Sequence, residues 1–246
     1  MENQEIRRTI LKIYTDYQKR VGAYKITTVL ARDYGIRIST GRVYRLMKTM
    51  NLPAMSTRKP KFSYPGTDAE CKNHLEQKFY PDEPNSVWAS DTTYIRVGNK
   101  WYYLCVIIDL FSRKVIAWKI SGRHDVDLTL STFRLAYESR GCPENLLFHS
   151  DRGCQYTAYA FRKLMDDLNV LQSFSRKGYP FDNAVVESFF KYLKLEEVKR
   201  NTYHTLQELQ LSIFEYIDGY YNSRRPHGTI NNLTPNEKEY EYYQLS

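Results

Sequence analysis

The sequence has only a few cysteines and no pairing motif among them. Cys71, Cys105, Cys142 and Cys154 form no C-x-x-C pair, which favours reduced thiols inside a cell over a disulfide framework. Cys71 and His74 have the spacing of half a zinc site. No second Cys/His pair lies nearby, so a structural zinc ion is not expected.

The sequence also lacks the segments that direct a chain to or through a membrane. Its first residues, MENQEIRR, contain no apolar stretch of the kind found in a signal peptide. Its longest apolar run, YYLCVIIDLF, is much shorter than the ~20 residues that span a bilayer. Heptad and internal repeats are absent as well. We therefore expect a cytoplasmic protein with no membrane partner.

Acidic residues are scarce in the first quarter of the chain. Residues 1–64 contain 14 Lys or Arg and 4 Asp or Glu, whereas the remainder contains 22 and 24. The whole positive excess of a chain with formal charge +8 therefore lies at the N-terminal end. A basic segment attached to a near-neutral body is typical of a module that binds nucleic acid, which would make the protein nucleoid-associated.

Three helices are predicted in this basic segment, over residues 2–19, 25–35 and 39–52. Apolar residues recur at helical spacing in each, and Gly35 separates the second helix from the third. This order indicates a helix-turn-helix domain over residues 1–52, although a plain helical bundle with a basic face would read alike. The third helix projects three basic side chains that we expect to contact DNA: Arg42, Arg45 and Lys48.

The rest of the chain is predicted to form an α/β domain. Residues 53–84 read as a basic linker with a short helix over AECKNHLEQKFY. Over residues 85–200 the pattern predicts three consecutive antiparallel strands, followed by a helix, a strand, a helix, a strand and a helix. This is the order of a ribonuclease H-like mixed five-stranded sheet flanked by helices. Residues 201–246 are predicted to form a C-terminal helix and a basic tail that contacts DNA.

Two aspartates occur where such a sheet would present chemistry. Asp91 lies inside an apolar strand, and Asp151 ends the strand LLFHS just before a glycine turn. Strands one and four are neighbours in a sheet of this order, so the two carboxylates are expected side by side. Asp109 also ends a strand, but an aspartate that opens a turn is common. We do not expect it to be a ligand.

A third acid, Glu187, lies at the border of the apolar stripe in YPFDNAVVESFFKYLK. Asp182 or Asn183 is expected to cap this helix. Glu187 could be an ordinary surface acid paired with Lys191 at i,i+4. Alternatively, the helix brings it against the two aspartates. Three carboxylates that converge repel one another unless a cation joins them, and hard oxygen ligands suit Mg²⁺.

The spacing of these acids is similar to a known signature. Between Asp91 and Asp151 there are 59 residues, between Asp151 and Glu187 there are 35, and Lys194 follows seven positions after Glu187. This resembles the DD(35)E motif of the retroviral-integrase-like transposases, and in particular the second-frame product of bacterial copy-out, paste-in insertion sequences. The segments that carry the resemblance include PNSVWASDTTYI, FHSDRGCQYTA and YYNSRRPHGTINNLTPNE.

The resemblance implies a Mg²⁺-dependent DNA strand transferase. Asp91, Asp151 and Glu187 would be both the catalytic residues and the ligands of two Mg²⁺ ions, for which Mn²⁺ would substitute. Water would free a 3′-OH at the end of the element, and that hydroxyl would attack a second phosphodiester. The expected partners are the terminal repeats of the element, target DNA, further copies of this chain on DNA, and an upstream-frame product or fusion.

Further residues are expected to contact DNA, each with a structural alternative. Lys194 would face a phosphate near the scissile bond or be a solvated lysine. Asn183 would touch DNA or only cap its helix. His149 and Gln155 flank Asp151, with a core role favoured for His149. The remaining candidates lie in a surface loop and in the basic tail, where helix capping by cations is the alternative: Arg176, Lys177, Arg224, Arg225 and His227.

Two other functions remain open on the sequence alone. A metal-dependent nuclease of the same fold would hydrolyse DNA without joining it to a target. A helix-turn-helix regulator with an inactive body would bind DNA without cutting it, and substitution of Asp151 or Glu187 would then leave its function intact.

Overall fold

The computed structural model describes residues 3–53, 71–176 and 179–245, which divide into an N-terminal helical unit and a larger α/β unit. The linker prediction falls mostly outside these ranges. The N-terminal unit has three helices: α1 (Asn3–Asp16), α2 (Ala23–Tyr34) and α3 (Thr40–Thr49).

The predicted helix-turn-helix pattern is confirmed in the N-terminal unit. Gly35 ends α2 in the left-handed conformation, with φ of 65°, and its N–H bonds back to the carbonyl of Leu30, which is the usual C-terminal cap of a helix. The side chain of Ser39 then caps α3 by accepting from the N–H of Arg42. The three helices enclose one apolar core, formed mainly by Ile6, Ile10 and Ile13 of α1, Ile26, Val29 and Leu30 of α2, and Val43, Leu46 and Met47 of α3.

The larger unit contains a mixed five-stranded sheet in the order β3-β2-β1-β4-β5. Its strands are β1 (Val87–Val97), β2 (Lys100–Asp109), β3 (Val115–Ser121), β4 (Leu147–Ser150) and β5 (Leu171–Phe174). The first three strands form an antiparallel meander, and β4 pairs parallel to both β1 and β5. The predicted ribonuclease H-like order, with β1 beside β4, is therefore confirmed.

Helices cover the sheet and extend beyond it. They are α4 (Val126–Ser139), α5 (Cys154–Thr157), α6 (Tyr159–Asp167), α7 (Ala184–Glu196), α8 (Leu206–Phe214) and α9 (Pro235–Leu245). A π-helical stretch, Glu215–Tyr221, continues α8, and a short 3₁₀ turn, Pro180–Asn183, precedes α7. The main core lies between the sheet and helices α4 to α6, where Trp88, Phe133 and Phe148 pack together.

Two helix predictions differ from the structure. The short helix expected over AECKNHLEQKFY is wrong for its described part, because residues 71–80 form an irregular segment with a turn in which Glu76 and Gln77 have positive φ. Buried Ser173 accepts the N–H groups of His74 and Leu75 instead, so side-chain bonds replace the helical ladder. The first helix ends at Asp16, earlier than predicted.

No helix in the described part of the chain is long and apolar enough to cross a bilayer.

Candidate active site

Asp91 lies on β1 just beyond the point where β4 stops pairing with it. Strand β4 pairs with β1 only from Val87 to Ala89, so the edge of β1 is open from Ser90 onward. The Asp91 Oδ1 atom accepts the N–H of Thr92 at 2.7 Å. Partial burial of this carboxylate follows from its position inside an apolar strand.

Asp151 follows the last residue of β4 and opens the next turn. Its Oδ1 atom accepts the N–H of Gly153 at 2.9 Å, which fixes the carboxylate at the carboxyl end of the strand. Because β1 and β4 are parallel neighbours, this turn emerges beside Asp91. The predicted juxtaposition of Asp91 and Asp151 therefore has a structural basis in the sheet order.

Gly153 leaves room for the Asp151 carboxylate. A Cβ at this position would lie 2.6 Å from Gln155 Nε2 and 2.9 Å from Asp151 Oδ1, closer than ordinary side-chain contacts allow. We expect Gly153→Ala to displace the ends of these two side chains and to lower the free energy of unfolding by about 1 kcal/mol, the low end for overpacking. Gly22→Ala is the matched control, because Gly22 is also the residue before a helix and a Cβ there meets nothing within 4 Å. Denaturant unfolding of both variants measures the difference, and equal stability of the two would contradict this packing.

Glu187 is on the first turn of α7, whose start is fixed by two polar side chains. The Asn183 Nδ2 atom donates to the carbonyl oxygen of Ser90 at 3.1 Å, which satisfies the open edge of β1 beside Asp91. Buried Asp182 accepts from the backbone and side chain of Arg176 and from Asn73 and Gln77.

This anchoring corrects the expected cap of α7. Neither Asp182 nor Asn183 caps the helix through its side chain, because both side chains bond to other segments. Sequence reasoning missed this role of Asp182, because two of its partners, Asn73 and Gln77, are more than a hundred residues away in the chain. Since Glu187 is one turn after Asn183 on the same helix, the bond to Ser90 also sets the distance of Glu187 from β1.

The three acids act on one another electrostatically. Burial, Asp151 and then Glu187 raise the pKa of Asp91 to about 8, against the lowering effects of the Thr92 N–H and the Lys194 charge. Burial raises the pKa of Asp151, although the Gly153 N–H and His124 lower it. Desolvation and then the charge of Asp151 raise the pKa of Glu187. The carboxylates from β1, the β4 turn and α7 therefore share one neighbourhood.

The three acids have the chemistry of a divalent-cation site, although their side chains are not arranged to hold an ion in this structure. Carboxylate oxygens are the ligands that Mg²⁺ prefers, and mutual repulsion that raises pKa values is relieved by a cation between the groups. No group of three or more His, Cys, Asp or Glu side chains within residues 3–53, 71–176 and 179–245 is arranged so that it could hold a metal ion. Among the described residues Glu187 forms no ion pair with Lys191. The Lys191 ammonium lies 5.7 Å from the centre of the Tyr192 ring.

Lys194 lies further along α7 and also reaches this neighbourhood. Its Nζ atom is 5.0 Å from the ring centre of Tyr94, and its charge lowers the pKa of Asp91. Burial lowers the pKa of Lys194 itself, against the raising effect of Asp91. The lysine is therefore half-buried beside the acids instead of extending freely into solvent.

Asp109 and His149 have structural explanations. Asp109 is buried and accepts the N–H groups of Asn85, Phe111 and Ser112, as expected for an aspartate that opens a turn. His149 bonds to Ser173 and Ser175, and burial lowers its pKa to about 4. It is a neutral core histidine, as the sequence favours.

The candidate DNA contacts differ in exposure. Arg42, Arg45 and Lys48 are exposed on α3, and Arg224 is exposed in the basic tail. Arg176 is half-exposed and bound to Asp182. Lys177 lies outside the described residues.

Two residues of the tail are inside the protein. Arg225 is 4% exposed and pairs with buried Glu196, and His227 is buried with its ring 4.6 Å from the ring of Tyr221. A guanidinium held in this way cannot reach a phosphate without breaking its ion pair. The structure therefore argues against the expected DNA contacts of Arg225 and His227.

Comparison with known families agrees with this architecture. An HTH-like domain model matches residues 1–61, and two integrase core domain models match residues 81–180 and 168–235. The described fold also resembles a chain of the simian T-cell lymphotropic virus intasome in complex with PP2A regulatory subunit B56 gamma. That match has a TM-score of 0.51, 17% identity, and coverage of 94% of this chain and 74% of the other. The likeness to the intasome chain concerns the fold alone.

Two curated relatives are similar over nearly the whole chain. The transposase for insertion sequence element IS904 of Lactococcus lactis is 36% identical over 247 residues, which cover 98% of this chain and 96% of the relative. Transposase InsF for insertion sequence IS3A of Escherichia coli is 35% identical over 235 residues, which cover 94% of this chain and 80% of the relative. With the HTH-like and integrase core matches, this similarity places the chain in the integrase-core family of insertion-sequence transposases.

Proposed function

We propose that this transposase frees a 3′-OH at the ends of its insertion sequence and joins it to a second phosphodiester, with Asp91, Asp151 and Glu187 as the catalytic carboxylates. DNA strand transfer is the general activity of the family. The observation that supports these three residues is their placement, because β1, the turn after β4 and the start of α7 meet at the open edge of β1. There Asp151 raises the pKa of both Asp91 and Glu187, and Glu187 raises that of Asp91.

Members of this family use divalent metal ions, and we propose that these carboxylates hold two Mg²⁺ ions or Mn²⁺ in their place. When bound, such a pair activates the attacking oxygen and stabilises the leaving oxygen in phosphodiester chemistry. The chain itself fixes where each acid is attached, and the three side chains would have to draw together to hold the ions, because no described group is arranged to do so. Asp91 is fixed by the sheet, Asp151 by the Gly153 turn, and Glu187 by the Asn183 bond to β1.

We also propose how the chain contacts DNA. Exposed α3 would enter the major groove with Arg42, Arg45 and Lys48, as the second helix of a helix-turn-helix does. Lys194 would contact a phosphate beside the acids, with Arg176, Lys177 and Arg224 as further phosphate contacts. The same proposal divides the chain into four parts, with boundaries after residues 52, 84 and 200. It also includes assembly of several copies on DNA, an upstream-frame partner or fusion, and a nucleoid-associated location.

Asn183 is proposed to position Glu187 relative to Asp91. We expect Asn183→Ala to slow end joining by roughly 10- to 100-fold, because an error of about 1 Å in a catalytic group can cost ~10²-fold in rate. Binding to duplex DNA should be unchanged. Asn236→Ala is the control, since Asn236 also donates one bond of 3.1 Å, to Ser223 on the tail. Loss of DNA binding together with joining would instead make Asn183 a DNA contact.

A strand-transfer assay tests the proposed function. Labelled duplexes from the ends of the DNA element that encodes this chain, with a recessed 3′-OH, are incubated with the protein, Mg²⁺ and supercoiled plasmid. We expect label covalently joined to plasmid. Nicked or shortened DNA without joined label would indicate a nuclease. Tight binding of the duplex without any cutting would indicate a regulator with an inactive body.

A further inference from the structure

Aromatic side chains are exposed together on one face of the β1–β2 hairpin. In the strand register, Tyr94 lies opposite Tyr103, and Arg96 lies opposite Trp101. Residues directly opposite in an antiparallel pair share a face, so these four side chains form one surface, here called the aromatic surface. Tyr94 is 58% exposed and Trp101 is 51% exposed. Their rings meet edge to face, with centres 5.2 Å apart.

The two rings form one continuous exposed apolar surface. Single exposed apolar side chains are common and need no explanation, whereas larger contiguous apolar surface marks sites of interaction. Edge-to-face packing is a favourable arrangement of two rings, and it holds Tyr94 and Trp101 in place on rigid strands. About half of each side chain remains available to a ligand.

The aromatic surface borders the acids at two points. The ammonium of Lys194 lies 5.0 Å from the centre of the Tyr94 ring and acts electrostatically on Asp91. On the other side, the His124 ring stacks on Tyr103 at 4.8 Å with an interplanar angle of 8°. His124 acts electrostatically on Asp151. A ligand on these rings would therefore lie beside a DNA strand at the acids.

The charges around the aromatic surface favour a polyanion. Arg96 is exposed within it, with its guanidinium held by the hairpin through the carbonyl of Gly98 and the side chain of Asn99. Lys194 covers one edge, with its ammonium 5.0 Å from the centre of the Tyr94 ring. Flat rings among cations are the combination by which proteins hold unpaired nucleic-acid bases, since every base has a face that stacks.

We propose that the aromatic surface binds unpaired DNA bases next to the phosphodiester that is held at the acids. This rests on the proposed function for how DNA reaches the site, and it adds a ligand that neither the acids nor α3 explains. Tyr94 and Trp101 supply the stacking rings, and Arg96 and Lys194 bind the flanking phosphates. A protein partner or a second copy of the chain would use the same rings without preferring unpaired DNA.

Binding of two DNA probes by the full chain in EDTA tests this proposal. One probe is a blunt duplex, and the other is the same duplex with a four-nucleotide unpaired tail. Tyr94→Thr and Trp101→Thr remove a ring and keep a residue that favours strands. We expect each to weaken binding of the tailed probe roughly 5- to 100-fold, the range for loss of one stacked base. Binding of the blunt probe should be unchanged.

Control variants separate stacking from general effects. Trp101→Phe keeps a ring and should retain most of the preference for the tail. Tyr159→Ala removes a tyrosine that is 80% exposed on α6 and should have no effect. The proposal is overturned if Tyr94→Thr and Trp101→Thr bind the tailed probe like the unaltered chain, or weaken both probes equally. It is also overturned if Trp101→Thr abolishes self-association in sedimentation and leaves the tail preference intact.

Crosslinking identifies the contact directly. A tail that contains 5-iododeoxyuridine should crosslink under ultraviolet light to peptides with Tyr94 or Trp101, and crosslinks confined to other residues would contradict the proposal. These experiments need no metal ion and no joining. Failure of strand transfer with intact tail binding would therefore count against the proposed function alone, and the reverse outcome would count against the aromatic surface alone.

Discussion

Glu187→Gln is expected to abolish both cleavage and joining of element ends, with a loss of at least about 10³-fold in rate. The neutral amide keeps the size of the side chain but removes one of the three charges proposed to hold the cations, and electrostatic stabilisation of this kind is often the largest part of catalysis. Binding to duplex DNA should remain, because α3 lies in a separate compact unit. Rates of cleavage and joining with matched duplexes measure the effect.

Glu138→Gln is the matched control for this prediction. Glu138 is an exposed glutamate on α4, and its substitution should leave both rates unchanged. Joining by Glu187→Gln at the rate of the unaltered chain would contradict the catalytic assignment and make Glu187 an ordinary surface acid.

Substitution of Asp91 should stabilise the metal-free protein although it abolishes activity. The pKa of Asp91 is about 8 in the fold and near 3.8 in a free chain, so folding disfavours the charged form. In the absence of divalent ions the stability of the protein therefore falls as pH rises between these values. Asp91→Asn should raise the melting temperature of the metal-free protein at pH 7.5 and abolish activity. Each kcal/mol of stability gained corresponds to a rise of about 2–4 °C in a protein of this size. A lower melting temperature would contradict the repulsion.

Glu196→Gln is expected to cause the largest loss of stability, about 3–5 kcal/mol. Glu196 is 2% exposed and accepts three bonds from Arg225 and one from Tyr216. Burial alone would lower the pKa of Arg225, but the charge of Glu196 raises it, so the guanidinium stays charged. Removing the carboxylate would leave that charge buried without its partner, which is strongly destabilising. The melting temperature should fall by roughly 10 °C.

A double variant distinguishes this pair from a DNA contact. Glu196→Leu combined with Arg225→Met replaces both charges with apolar groups and should be much closer in stability to the unaltered chain than either single variant. DNA affinity, measured on the folded double variant, should be unchanged. A stable Arg225→Met variant with weakened DNA binding would instead support the contact that the basic tail suggests from sequence.

The sheet could be predicted, and the three acids could be singled out as candidates, because patterns in the sequence mark them. Apolar strands alternate with amphipathic helices in the order that the structure has, and Asp91 and Asp151 interrupt or end apolar strands. The spacing to Glu187 added a resemblance that no single acid provides. Strand and helix patterns depend on residues close together in the chain, and the spacing of the acids is counted along it. Both can therefore be read from the sequence.

The predictions that failed depend on contacts between distant segments. Asp182 and Asn183 look like helix caps, but they bond to Arg176 and to Ser90 on another strand. Arg225 reads as a surface cation until Glu196, from the end of α7, is placed beside it. Helix α9 lacks a clear apolar face; it is held to the body by Glu239, which pairs with Arg140 and Lys114. Such partners cannot be read from composition.

Anomalous diffraction from crystals of the chain with end DNA and Mn²⁺ tests the central claim most directly. The proposed function predicts manganese peaks with Asp91, Asp151 and Glu187 as ligands, and two peaks about 4 Å apart when the scissile phosphate is present. Manganese bound elsewhere, or an intact DNA complex in which these carboxylates hold no manganese, would contradict the assignment of the three acids as the catalytic metal ligands.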